Sequence, residues 1–158
     1  MTGLEPREFT WVIAGRLAVA ERVGGHGPQH RRVRREEEIS WLKAAGINTV
    51  LSLLPGNQNL ASYRAAGLNA VHEPLLELEP EVAERVFATL RALLRDRNVV
   101  LLLHRDTIDE AVAGILAGYL VYAGLVAEPI QATALIQEIL RRPLGPEARG
   151  IIPPAPSA

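Results

Sequence analysis

The residues best suited to chemistry lie close together, in the nine-residue segment 104–112, HRDTIDEAV. The segment offers one imidazole and three carboxylates, which are groups that act as general acids and bases or as metal ligands: His104, Asp106, Asp109 and Glu110. Their spacing matches no metal-binding motif, and acidic residues are common at the start of a helix because the helix dipole favours them there. We therefore expect structural carboxylates, no metal and no other cofactor.

The tripeptide His104-Arg105-Asp106 also matches the catalytic-loop signature of protein kinases. The kinase pattern needs an asparagine five residues after the aspartate, where this chain has Ala111, and the sequence shows no glycine-rich phosphate loop. The kinase interpretation is therefore rejected. Arg105 is permanently protonated and cannot be a nucleophile, so we expect it to pair with a neighbouring carboxylate.

The composition excludes several kinds of site. None of the 158 residues is cysteine, which removes disulfides, thiolate metal ligands and any cysteine nucleophile. The net charge is −1, so the molecule as a whole has no field that would attract nucleic acid or an anionic membrane. No apolar stretch is long enough for a spanning helix, and the first residues show no apolar signal region. The sequence predicts a cytoplasmic protein with neither a membrane nor a nucleic acid as partner.

Strand and helix patterns alternate along the chain, which predicts an α/β fold. Residues 99–103 (VVLLL) resemble a central strand of a parallel sheet, since they are apolar throughout, and they lead directly to His104. The other predicted strands are 9–13, 17–20, 49–54 and 70–72, and helices are predicted to begin at Glu36, Asn59, Pro80, Ile108 and Pro129. We divide the chain into an α/β domain, 1–142, and a proline-rich irregular tail, 143–158, with no core to join.

A strand, then His-Cys-x-x-Gly-x-x-Arg-Ser/Thr, then a buried helix is the signature of the cysteine-dependent protein phosphatases. Segment 104–112 resembles this signature in its flanking strand and helix. Four further segments resemble the dual-specificity branch of that superfamily in the same order: WVIAGRLA, EEISWLKAAGINTVLSLL, YRAAGLNAVHEPL and AGYLVYAGL. The resemblance covers about residues 9–142 and implies a single domain with a central, mostly parallel sheet flanked by helices.

The same resemblance implies that the signature loop is degenerate. His104 is kept, but Arg105 stands at the cysteine position and Ile108 at the glycine position. The arginine position holds Ala111, and Val112 replaces the Ser/Thr. In the family the loop wraps a phosphate, a thiolate attacks phosphorus, and the arginine clamps two phosphoryl oxygens. The resemblance therefore implies a catalytically dead relative with no catalytic residue in this loop.

Two further expectations concern the carboxylates around this loop. The family's general acid, usually an aspartate before the preceding helix, corresponds to Glu77 here. Thr107-x-x-Glu110 matches a capping box, in which two side chains satisfy free N–H groups at the start of a helix. With Asp106 and Asp109, this arrangement predicts a loop that is internally capped and closed to phosphate.

A basic run, with Arg31, Arg32, Arg34 and Arg35, is a second candidate site. It could contact an acidic partner, whereas the adjacent Glu36, Glu37 and Glu38 favour a solvated loop whose charge is neutralised.

Three functions remain open from the sequence. The first is a pseudophosphatase, a regulatory module that binds a protein partner. The second is a hydrolase with altered, metal-assisted chemistry that uses His104 and an acidic residue. The third is a docking subunit that uses the basic loop or the tail. The sequence leaves the partner and the oligomeric state open.

Overall fold

The computed structural model describes residues 3–157, in which strands and helices alternate as predicted. The strands are β1 (Thr10–Ile13), β2 (Leu17–Glu21), β3 (Thr49–Ser52), β4 (Asn69–His72) and β5 (Leu101–Arg105). The helices are α1 (Arg32–Ala44), α2 (Leu60–Ala65), α3 (Pro80–Leu94), α4 (Glu110–Tyr122), α5 (Pro129–Leu140) and α6 (Pro146–Gly150). The described residues form two compact units, one of residues 3–74 and 96–108, the other of 75–95 and 109–157.

The first unit is built on one five-stranded sheet with the order β1-β2-β5-β3-β4. Only β1 is antiparallel to its neighbour, and β5 pairs in parallel with β2 on one side and β3 on the other. Leu101, Leu102 and Leu103 of β5 are fully buried, as apolar residues of a central strand should be. The predicted α/β fold with a mostly parallel central sheet is confirmed.

Helices α1 and α2 supply the apolar side chains that cover part of this sheet. Ile39 and Leu42 of α1 and Tyr63 of α2 belong to one buried cluster with residues of β2, β3 and β5. At the edge of this cluster Phe9 stacks edge-on against Trp11 and Trp41, with ring centroids 5.4 and 4.8 Å apart. Such aromatic pairs contribute beyond the area they bury, so the two tryptophans serve as packing anchors.

The prediction that the basic run forms a loop before a helix beginning at Glu36 is wrong. Helix α1 begins at Arg32, and Arg31 is its N-cap, so the basic run forms the first helical turn. The first turn pairs with the acidic residues one turn later: Arg32 Nε lies 3.1 Å from Glu36 Oε1, and Arg34 Nε lies 2.6 Å from Glu38 Oε2. These i,i+4 pairs offset the unfavourable interaction of cations with the N-terminal end of the dipole.

The loop before α1 is held by the buried carboxylate of Glu38. Its second oxygen, Oε1, accepts a hydrogen bond from the backbone N–H of Gly24 at 2.9 Å. Gly24 has φ of +86°, and a Cβ there would lie 2.8 Å from both Arg35 Cβ and His30 Nε2. Glycine is therefore required at this position both for the left-handed backbone and for the close approach of those two side chains.

The second unit is organised around α4, which is buried from Ala111 to Tyr122. Helices α3, α5 and α6 all pack against it. Two of its glycines allow close approach: a Cβ at Gly114 would lie 2.9 Å from Ala148 Cα, and one at Gly118 would collide with the ring of Phe87. The uniformly apolar sequence of α4 thus reflects neighbours on several faces.

The prediction of an irregular tail with no core to join is also wrong. Residues 146–150 form α6, and Leu144, Ala148, Ile151 and Ile152 are buried. The backbone N–H of Ser157 donates to the carbonyl of Tyr122 at 2.9 Å, so the chain stays attached to α4 almost to its end. The prolines that suggested disorder instead begin and end a short helix, because proline is favoured at the first helical position.

None of the helices between residues 3 and 157 combines the length and the apolar character needed to cross a bilayer.

The close packing of Gly118 against Phe87 can be tested by adding a single methyl group. Gly118→Ala should lower the free energy of unfolding by about 1–3 kcal/mol, because the added carbon overpacks α4 against a buried ring. Urea denaturation measures this change. Gly150→Ala is the matched control, since a Cβ there meets nothing within 4 Å. Equal stabilities of the two variants would contradict the packing described here.

Candidate functional site

The predicted site residues begin at the carboxyl edge of the sheet in the first unit. Since β2, β5, β3 and β4 are parallel, their carboxyl ends meet at this edge. In the register, His104 is level with Ala20 of β2 and Ser52 of β3, and Ser52 is level with His72 of β4. His104 therefore belongs to β5 itself, and the loop proper begins at Asp106.

His104 is fully buried and is held by a tyrosine from α2. Its Nε2 lies 3.2 Å from the Tyr63 hydroxyl, and Asn59 Nδ2 donates to the same hydroxyl oxygen at 3.5 Å. Burial, with a smaller contribution from the positive charge of Arg22, lowers the pKa of His104 to about 4. Burial is also the main cause that raises the pKa of Tyr63. Both side chains are therefore neutral at pH 7, and this pair is a structural hydrogen bond within the core.

Asp106 forms its ion pair with Arg22, a residue that the sequence analysis did not single out. Arg22 Nη1 lies 3.7 Å from Asp106 Oδ1, and the backbone N–H of Arg22 donates to the Asp106 carbonyl at 3.3 Å. The Arg22 side chain is 14% exposed and that of Asp106 is 49% exposed. The sequence signal was weak, because Arg22 lies 84 positions before Asp106 and is adjacent to it only through the pairing of β2 with β5.

The N-terminus of α4 is capped by Asp109, so the predicted Thr107–Glu110 capping box is wrong. Asp109 is the N-cap residue, and its Oδ1 accepts a hydrogen bond from the backbone N–H of Val112 at 3.0 Å. The helix begins at Glu110, two residues later than predicted, which puts Thr107 outside it. Aspartate is among the strongest N-cap residues. Asp109 is the cap here, in place of Thr107, because it stands directly before the first helical turn.

Glu110 uses its carboxylate inside the second unit. Its Oε1 accepts a hydrogen bond from the backbone N–H of Ala148 at 3.1 Å, and its Oε2 lies 3.9 Å from Arg142 Nη2. The carboxylate therefore joins α4 to α6.

The other predicted loop positions offer little exposed polar surface. Ala111 and Val112 are buried in α4, and Arg105, Thr107 and Ile108 are half-buried. No residue of segment 104–112 has a positive φ.

Glu77, the expected counterpart of the family's general acid, lies exposed in the segment before α3. A hydrogen bond between the Glu77 and Glu79 side chains, together with their mutual repulsion, raises the pKa of Glu79. The role of Glu77 as the counterpart of the general acid stays a prediction.

Within residues 3–157, no three side chains of the metal-ligating types converge into a group that could hold an ion. The hydrolase hypothesis predicted such a group around His104 and the carboxylates. The structure instead engages these side chains separately, His104 with Tyr63, Asp106 with Arg22, and Asp109 with its own helix.

Comparison with known proteins gives the fold. No family model matches the chain, and no curated protein matches it. A solved structure of a kinase associated phosphatase aligns with TM-score 0.70 and 16% identity over 93% of this chain and 92% of that one. A structure of Tk-PTP in its active form aligns at TM-score 0.67 and 12% identity, covering 92% of both chains.

Human DUSP28 aligns with TM-score 0.59 and 16% identity over 96% of this chain and 94% of its own. The chain has the fold of dual-specificity and protein tyrosine phosphatases. This phosphatase fold extends over nearly the whole chain, and it confirms the fold expected from the segments that flank the signature loop.

The Asp109 cap can be tested against the predicted Thr107 cap. Asp109→Ala should lower the free energy of unfolding by about 1 kcal/mol, because the Val112 N–H loses its acceptor at the start of a buried helix. Thr107→Ala should change it by less than about 0.5 kcal/mol. Urea denaturation of both variants is the measurement. A larger loss of stability in Thr107→Ala than in Asp109→Ala would support the Thr107–Glu110 capping box instead.

The buried neutral state of His104 predicts a pH dependence of stability. Its pKa is about 4 in the folded chain and 6.5 in its reference state, so the unfolded chain binds a proton in this range and the folded chain does not. The free energy of unfolding should therefore fall as the pH decreases from about 6.5 towards 4, by on the order of 3 kcal/mol in full.

His104→Gln should flatten this part of the profile, whatever its own effect on stability at pH 7. Urea midpoints measured between pH 7 and pH 4 report the slope. His26→Gln is the control and should keep the wild-type profile. An unchanged slope in His104→Gln would mean that His104 is not the buried neutral group.

Proposed function

We propose that the chain is a pseudophosphatase, a phosphatase-fold module that has no phosphatase chemistry and acts by binding a protein. The observation that carries this proposal is the absence of a cysteine at the end of the central strand β5, where the cysteine phosphatases have their nucleophile. The kinase associated phosphatase has a catalytic cysteine, which its solved structure replaces by serine. This chain has no cysteine anywhere, and the residue that follows His104 is Arg105. A guanidinium carries no lone pair available for attack on phosphorus at any ordinary pH.

The start of α4 supports the same proposal. Phosphate binds at helix N-termini because backbone N–H groups there are free to donate and the dipole favours an anion. In this chain the Asp109 carboxylate accepts from the Val112 N–H. A phosphate at that position would have to displace a carboxylate and approach the negative charge of Glu110 as well. Both costs oppose binding, and Ala111 offers no guanidinium to offset them.

The two alternatives from the sequence have unequal support. A hydrolase that uses His104 needs an imidazole in contact with substrate, whereas His104 is 0% exposed and hydrogen-bonded to Tyr63. A docking subunit and a pseudophosphatase both act through a protein partner, and they differ in whether the partner is a permanent assembly. The protein-binding role is common to both and is the function proposed.

The proposal predicts no turnover of an aryl phosphate above the rate in buffer, from pH 5 to pH 8. Millimolar vanadate should raise the melting temperature by less than about 1 °C, whereas a ligand at a hundred times its dissociation constant adds about 2.7 kcal/mol and shifts melting by several degrees. An active cysteine phosphatase assayed in parallel is the positive control. Turnover that survives repurification and is lost in a variant of segment 104–112 would overturn the proposal.

A further inference from the structure

A groove between α1 and α2, in the first unit, is lined mainly by basic and small side chains. It has a volume of about 500 Å³. Three cations line it, Arg32, Arg35 and Lys43, against a single carboxylate, Glu36. That carboxylate is already engaged, since Glu36 Oε1 accepts from Arg32 Nε at 3.1 Å. The groove therefore holds net positive charge in a molecule whose overall charge is −1.

The cations of the groove differ in how far the chain itself satisfies them. Lys43 Nζ donates to the carbonyl of Ala66 at 2.6 Å, which fixes the ammonium at the end of α2. Arg35 is half-buried, and its Nε finds no hydrogen-bond acceptor among residues 3–157. The neighbouring Arg34, by contrast, is bound to the buried Glu38. This Nε is itself buried, so an external ligand would have to reach the remaining nitrogens of the guanidinium. No ion pair joins Arg35 to a carboxylate among residues 3–157, so its positive charge is free to attract an external one.

The dimensions and lining of the groove fit an extended peptide. Arg32, Arg35, Ile39 and Lys43 follow one another on one face of α1, at intervals of three and four residues. Arg32 and Lys43 are eleven helical steps apart, about 16 Å along the helix, which is the length of about five residues of extended chain. Ile39 and small residues of α2 line the apolar part. No aromatic side chain lines the groove, so it offers nucleic-acid bases no stacking surface.

We infer that the groove between α1 and α2 binds an extended acidic segment of a partner protein, with Arg35 and Lys43 as the main contacts for its carboxylates. This inference deepens the proposed binding function by naming the surface and the chemistry of the partner. It is tested without any activity assay. A phosphatase activity, if found, would overturn the pseudophosphatase proposal and leave the groove unaffected.

The test uses the full chain and a fluorescein-labelled eight-residue peptide that alternates glutamate with alanine. Fluorescence anisotropy should show saturable binding that weakens as sodium chloride rises from about 50 to 500 mM, because added salt screens the charges. The same peptide with glutamine in place of glutamate is the matched ligand and should bind at least about tenfold more weakly, since it lacks the charge. Equal affinity for both peptides would overturn the inference.

Three variants locate the binding in the groove. Arg35→Glu and Lys43→Glu should each weaken binding of the glutamate peptide about tenfold or more, whereas Arg97→Glu, an exposed cation outside the groove, should change it less than twofold. Glu36→Gln should strengthen binding, because it removes the one carboxylate of the groove. Circular dichroism shows whether Arg35→Glu and Lys43→Glu still fold. If they do not, the increased affinity expected of Glu36→Gln still tests the inference. Two results would refute the proposed occupant. One is an equal loss of peptide affinity in Arg97→Glu and Arg35→Glu, and the other is tighter binding of a single-stranded oligonucleotide than of the peptide.

Discussion

The pairing of β5 between two parallel neighbours is the constraint on which the first unit depends. Both backbone edges of β5 are hydrogen-bonded, one to β2 and the other to β3, and its leucines are fully buried. A one-residue shift would turn every side chain of β5 to the opposite face of the sheet and so would separate His104 from the Tyr63 hydroxyl. The register therefore fixes where His104 and Asp106 stand, and it brings Arg22 beside Asp106 although the two are far apart in sequence.

The polar groups at the carboxyl end of β5 are partly satisfied within the chain: His104 Nε2 is hydrogen-bonded to Tyr63, whereas His104 Nδ1, Asp106 Oδ1 and Arg22 Nε are buried without a hydrogen-bond partner among residues 3–157. A phosphate site needs donors that are free before the ligand arrives, because binding to groups already paired first costs the energy of breaking those pairs. Here the Val112 N–H is taken by Asp109, and Arg22 pairs with Asp106. His104 is neutral and shares its hydrogen bond with a buried tyrosine. The Asp109 cap and the Asp106 carboxylate therefore compete with an anion for the Val112 N–H and for Arg22.

The sequence predicted the alternation of elements and the central strand because both depend on local apolar patterns. The start of β5 was placed two residues early, since the side chain of Asn48 accepts a hydrogen bond from Val100 and keeps that residue outside the strand. The N-cap was assigned to Thr107 because two capping signals overlap within three residues, and Asp109 is the one that stands directly before the first helical turn. The tail looked irregular because its five prolines and its small residues suggested no core, yet Ala148 packs against Gly114, a glycine in the middle of α4.

Long-range contacts explain the rest of what the sequence did not show. Arg22 gave no local signal, since an isolated arginine at the end of a strand is ordinary, and its partner is set by sheet topology. The basic run was visible in the sequence, but it was assigned to a loop. The acidic residues that follow it were interpreted as neutralising the charge of that loop. In a helix the same residues form i,i+4 pairs, and the pairing is selective: Arg32 and Arg34 find carboxylates, whereas Arg35 does not.

This selectivity separates the two candidate surfaces in energetic terms. Binding free energy comes from groups that gain partners on association, so a surface whose charges are already paired contributes little beyond its area. The carboxyl end of β5 is where an α/β fold places a ligand, and there the charge of Arg22 is paired with the carboxylate of Asp106. The groove between α1 and α2 is separate from the signature loop. It presents the guanidinium of Arg35, which has no carboxylate partner among residues 3–157, next to the apolar side chain of Ile39. Both helices pack against the sheet. The phosphatase fold thus supports the groove on two helices whose apolar side chains share a buried cluster with the sheet.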